Sequence, residues 1–128
     1  MKKIIKVILS IVTLFILITA GGMFYMTRGL DKGIKQKVNS VNLSSIKDGV
    51  YKGKYNSGRW SNEVNVTIKD HKITKIDMVK DVTFSKPELK EQIFSEVLDK
   101  QNVDVDVVSG GTITSKAYLK SIESALNN

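Results

Sequence analysis

Residues 64–79 read VNVTIKDHKITKIDMV, and they carry two apolar alternations joined by a polar turn. Val64, Val66 and Ile68 alternate with Glu63, Asn65 and Thr67, which is the period of a strand with one face buried and one face wet. Lys69-Asp70-His71-Lys72 makes a turn, and Ile73 to Val79 returns as a second strand with Ile76 and Met78 on one face. A connection this short joins antiparallel neighbours. Upstream, DGVYKGKY at 48–55 sets Gly49 and Gly53 among Val50, Tyr51 and Tyr55, a turn leading into a further strand. NSGRW at 56–60 is the loop between them.

Downstream the period changes. In SKPELKEQIFSEVLDKQ, residues 85–101, Leu89, Ile93 and Val97 form an apolar stripe with Phe94 and Leu98 beside it, the spacing of a helix. Ser85 and Glu88 are placed for a capping box, with Pro87 in the first turn, where its missing N–H costs nothing. Val105 and Val107 alternate with Asp104 and Asp106, a short strand or extended approach. A last helix from about Ser115 puts Tyr118, Leu119, Ile122, Ala125 and Leu126 on its buried face. The expected fold is α+β: a small, mostly antiparallel sheet with helices packed on one side.

The N-terminal part obeys a different rule. Val7 to Met26 is twenty residues without a charge, enough helix to cross a hydrocarbon core of roughly 30 Å. Lys2, Lys3 and Lys6 precede it, and Tyr25 sits where an interfacial aromatic belongs. Ala20-Gly21-Gly22 offers a cleavage site for a signal peptidase, but the apolar run continues through Met26, which favours an uncleaved anchor. The expected organisation is one transmembrane helix over 1–27, a juxtamembrane linker over 28–47, partly helical, and a domain over 48–128. A basic start followed by an apolar run implies a single-pass protein of the cell membrane with its domain on the extracytoplasmic side.

The net charge of +7 is unevenly spread over the 128 residues. Seven basic residues against Asp31 alone lie at or before residue 37, whereas beyond it thirteen basic and twelve acidic residues nearly cancel. A reader of nucleic-acid backbone carries its basic face on the domain, so no nucleic acid is expected as partner. The basic stretch 28–37 could instead meet anionic lipid. The absence of cysteine excludes disulfides, thiolate metal sites and cysteine nucleophiles.

The functional candidate is DVVSGGTITS, residues 106–115, between an extended segment and a helix start. Free N–H groups and the positive end of the dipole make a helix N-terminus attractive to phosphate. Gly110 and Gly111 let the backbone approach an anion closely, and Thr112, Thr114 and Ser115 add hydroxyls. The stretch is neither a Walker loop nor a GxGxxG fingerprint. Ser, Gly and Thr before a helix are also ordinary turn and cap residues, so spacing alone leaves both readings open. His71 reads as an exposed turn residue. Tyr51, Tyr55 and Trp60 could stack on a ring ligand, although packing is the commoner role of such aromatics. Met78 reads as core filler, and Asp77, Asp81, Asp104 and Asp106 lack the spacing of a calcium loop.

Asp106-Val107-Val108-Ser109-Gly110-Gly111-Thr112 resembles the flavinylation motif of the FMN-binding domain family, whose members include flavin-carrying subunits of sodium-pumping quinone reductases and Rnf complexes. Asp48-Gly49-Val50-Tyr51-Lys52-Gly53 is similar to the family's opening and residues 64–79 to its hairpin, so the resemblance covers roughly Asp48 to Leu126. It implies FMN as cofactor, joined through its phosphate to Thr112 by a dedicated flavin transferase that uses FAD. Asp106, Ser109 and Gly110 would fill the recognition positions, and Ile113, Thr114 and Ser115 the continuation. The departure is Gly111, where alanine is usual; glycine is smaller, so the fit is not blocked. The implied role is electron carriage between a membrane donor and an external acceptor, with no catalysis of its own. The competing reading is an apo adhesion, sensor or partner-binding module on the same fold.

Overall fold

The computed structural model describes residues 1–107 and 111–127. Helix α1 (Lys2–Thr27) is followed by a short α2 (Leu30–Lys35) and a 3-10 turn (Leu43–Ser45). Three strands come next: β1 (Gly49–Tyr55), β2 (Asn62–Lys69) and β3 (Lys72–Lys80), with a 3-10 turn (Gly58–Trp60) between the first two. Helices α3 (Pro87–Lys100) and α4 (Thr112–Leu126) complete the chain. The sheet order is β1-β2-β3, antiparallel throughout. α4 lies across β1 and β2, and α3 packs beside β3 and α4. The fold is α+β, as the alternation predicts.

The hairpin forms because its turn and its faces agree. Asp70 and His71 both have positive φ, 51° and 60°, as a two-residue type I′ turn requires. Asn62, Val64, Val66 and Ile68 of β2 are buried, while the residues between them are half-covered. β3 reaches the same core by an irregularity: Thr67 pairs with Lys75 but Ile68 pairs with Ile73, so Thr74 is an extra residue. Three positions separate Ile73 from Ile76, and without this bulge they would face opposite sides. The far face of the sheet is wet, with Val50 and Val79 both exposed.

Gly53 decides how closely α4 can approach. A β-carbon there would overlap the Ser121 carbonyl oxygen and come within 2.8 Å of Ala125 Cβ. Asn62, almost wholly buried, donates from Nδ2 to the Trp60 and Ala117 carbonyls, both at 3.1 Å, tying β2 to the middle of α4. On the other side of α4 the Tyr118 hydroxyl donates to Asp81 at 2.7 Å, and Lys90 donates to the same carboxylate at 2.9 Å. Burial alone would raise the Asp81 pKa, but donation from Lys90, Tyr118 and the Val82 N–H outweighs it and leaves it below the usual carboxylate value. Burial, then the bond to Asp81, pushes the Tyr118 hydroxyl far above its ordinary range.

Two local expectations are corrected, and a third is narrowed to one of its alternatives. The capping box of Ser85 and Glu88 does not form: α3 begins at Pro87 with Lys86 as N-cap and no side-chain cap. A residue before proline is held extended, so Lys86 cannot be the first helical residue that a Ser85 cap needs; its φ and ψ are −122° and 106°. Of the short strand or extended approach expected over 104–107, the strand does not form, while Val105 and Val107 pack on the core as the alternation implies. The backbone groups of Ile73 that a fourth strand would pair are taken by Gln101, whose Oε1 accepts from Ile73 N–H at 2.6 Å while Nε2 donates to its carbonyl at 2.9 Å. Helix α4 starts at Thr112, three residues before the expected start.

The stretch 28–47 is packed onto the domain. Gly33, Val41 and Ile46 are buried, and Asn102 pairs with both backbone groups of Val41 at 3.1 Å. α1 is long and apolar enough to cross a membrane, and none of its residues is buried.

Candidate functional site

The N-terminus of α4 is the natural place to begin. Gly111 is its N-cap and provides no side-chain cap, and the first turn contains no acidic residue. The opening N–H groups of an α-helix have no intrahelical acceptors, so this end is the positive pole of a fifteen-residue helix. Gly33 seats the turn: a β-carbon there would lie 2.6 Å from Ile113 Cγ2, so only a glycine lets α2 lie flush on α4. Lys116 and Lys120 extend this contact by donating to backbone carbonyls of Ile34, Gln36 and Lys37.

A groove of about 320 Å³ opens beside this turn, lined by Leu30, Arg59, Trp60, Gly111, Thr112, Ile113 and Thr114. Thr112 is exposed on it and Thr114 is half-buried. Arg59 is held from three sides. Its guanidinium lies 4.1 Å from the Trp60 ring and 5.5 Å from the Phe84 ring, and Nε donates to the Met26 carbonyl at 3.1 Å. Among the described residues no carboxylate pairs with it. Trp60 serves as both core and wall: it is 3% exposed yet borders the groove.

The other expected site residues fall differently. Asp106 is exposed and does not line the groove among the described residues. Ser115 is fully buried, its hydroxyl has no hydrogen-bond partner among the described residues, and it lies outside the groove wall. Ser109 and Gly110 lie outside the described residues. Tyr51 donates its hydroxyl to the Lys47 carbonyl at 2.6 Å and Tyr55 is buried under Lys32, so both aromatics are engaged away from the groove. His71 is exposed in its turn, with Nδ1 near the Ile46 carbonyl at 3.0 Å.

A family model for the FMN-binding domain matches residues 58–127. The chain belongs to the FMN-binding domain family. No curated protein matches it. As an FMN-binding domain it takes FMN as cofactor, and the residues at the α4 turn fit that group. A phosphate needs donors and positive charge, which the helix end and Arg59 supply. A planar ring needs apolar walls, which Trp60, Leu30 and Ile113 supply. A β-carbon on Gly111 would lie 2.8 Å from Leu89 Cδ2, so an alanine there would need the end of the Leu89 side chain to shift.

Arg59, Trp60 and Leu30 are the residues that reading from the glycine loop outward misses or underweights. Arg59 lies in what reads as a plain loop, and Leu30 in what reads as linker. The available signal was the pair Arg59-Trp60 itself, a cation next to the chain's only tryptophan.

Proposed function

We propose that this FMN-binding domain is anchored in the cell membrane by α1, carries FMN as a phosphoester on Thr112, and passes electrons between a donor in the membrane and an acceptor outside the cell. In this reading residues 1–27 are the anchor, 28–47 join it to the domain, and 48–128 form the flavin carrier. The supporting observation is the exposure of Thr112 on a groove that also presents the Arg59 guanidinium, the Trp60 ring and the α4 N-terminus.

Attachment is the work of a separate flavin transferase. Thr112 Oγ1 forms a bond to the FMN phosphorus of FAD, the pyrophosphate linkage breaks, AMP leaves, and the hydroxyl proton passes to a base of the transferase. Asp106, Ser109 and Gly110 belong to the stretch that the transferase reads. Arg59 and the first-turn N–H groups neutralise the phosphate. Trp60, Leu30 and Ile113 exclude water from one side of the ring, and Thr114 shares the wall with Thr112. Ser115 lies inside the fold, and its backbone N–H donates to the Gly111 carbonyl at 2.8 Å. Bound FMN supplies reversible one- and two-electron chemistry, while the protein supplies position and field. In this reading the domain acts as a carrier and not as an enzyme.

Intact-mass measurement on the full chain co-expressed with a flavin transferase tests this. The expected result is a mass increase of one FMN that disappears in Thr112→Ala. An unchanged increase in Thr112→Ala overturns the assignment, and an unmodified wild-type chain beside a demonstrably active transferase favours the apo partner-binding module.

A further inference from the structure

A second cleft, of about 450 Å³, lies where α1 ends and meets the loop before β2, and it is lined by Arg28, Gly29, Lys32, Asn56, Ser57, Gly58 and Ser61. Two cations reach it and no carboxylate lines it. Lys32 is held in place: Nζ donates to the Asn56 carbonyl at 3.2 Å and lies 5.2 Å from the centre of the Tyr55 ring. Among the described residues neither Lys32 nor Arg28 is in an ion pair. The serine hydroxyls around it are occupied, Ser61 donating to the Gly58 carbonyl at 2.8 Å and Ser57 to that of Gly29 at 3.4 Å. The charge of the cleft is therefore carried by the two side chains.

Its position decides the ligand class. Arg28 is the C-cap of α1, two residues beyond the uncharged run that ends at Met26. With α1 across a bilayer, this is the depth at which lipid phosphates lie. We propose that the cleft is a phosphate seat formed by Arg28 and Lys32 that receives the headgroup of an anionic phospholipid. Lys35 and Lys37 carry the same charge in the same segment but do not line the cleft, which separates a seat from diffuse attraction to a charged surface.

The test uses the full chain in nanodiscs of phosphatidylcholine containing phosphatidylglycerol, with bound lipid counted by native mass spectrometry after release. The wild type is expected to retain one phosphatidylglycerol, and Arg28→Gln with Lys32→Gln to retain it roughly 30-fold less well, from about a five- to sixfold effect of each cation near the membrane surface. Lys32→Arg should keep the lipid and controls for folding. Inorganic phosphate distinguishes the source: retention unaffected by millimolar phosphate supports the lipid headgroup, whereas displacement by phosphate, with equal stabilisation of the chain in pure phosphatidylcholine, supports a site for free phosphate. Equal loss in Lys35→Gln with Lys37→Gln, or no loss in the Arg28 and Lys32 pair, overturns the proposal.

Discussion

Asp81 shows how one side chain can organise two helices. It accepts from Tyr118 of α4 and from Lys90 of α3, so its charge is stabilised most fully when both helices are docked. Its folded pKa is depressed, so the stability it contributes is fully present above the unfolded value of about 3.9 and is lost as pH falls through the folded value. Asp81→Asn is expected to lower unfolding stability by about 1–2 kcal/mol at neutral pH, a charge-assisted pair discounted for partial solvent contact. That deficit should shrink toward zero as pH falls through the depressed folded value, as read from urea denaturation at a series of pH values. A deficit independent of pH would mean that packing, and not the carboxylate charge, is what Asp81 contributes. None of this is visible from spacing: Asp81 and Tyr118 are far apart in sequence, and an isolated aspartate after a strand reads as solvated.

At the scale of elements the hairpin and both large helices are legible, because each shows its own apolar period over many residues. What resists reading are features set by a partner in space. The Thr74 bulge exists so that Ile73 can join the face of Ile76, and Gly53 looks like any strand glycine until α4 is laid across it. The start of α3 was legible in principle, since Pro87 forbids a helical Lys86, but the Ser85 and Glu88 pair suggested a cap. Gly53→Ala forces β1 away from the Ser121 backbone and is expected to cost about 3 kcal/mol, at the upper end of overpacking penalties. Thermal or urea unfolding of the full chain in detergent would show it, and a change below about 0.5 kcal/mol would show that β1 can shift without loss. The candidate site was half legible by the same logic: Thr112, Thr114 and Gly111 are contiguous in sequence, whereas Arg59, Trp60 and Leu30 reach the groove only through the fold.

At the scale of the whole molecule, α1 and the domain interlock. Gly29 and Gly58 both have positive φ, 87° and 55°, and each faces the other segment: a β-carbon on Gly58 would overlap the Arg28 carbonyl, and one on Gly29 the Ser57 hydroxyl. The Tyr25 hydroxyl lies 3.2 Å from Thr83 Oγ1, and Arg59 closes the joint on the Met26 carbonyl. Gly58→Ala combines a left-handed backbone with this overlap, at a cost of about 1–2 kcal/mol from conformation alone. The expected outcome is faster proteolysis between Thr27 and Leu30 in the detergent-solubilised full chain, with the domain itself still resistant; an unchanged cleavage rate would show that the joint does not depend on this contact. In the proposed role, a carrier bolted to its mast in this way would not sweep the space above the bilayer as a cargo on a string would. The proposed electron partners would have to come to it, at one height and from one side, so the frequency of their visits, and not the swing of the domain, would set the pace of exchange.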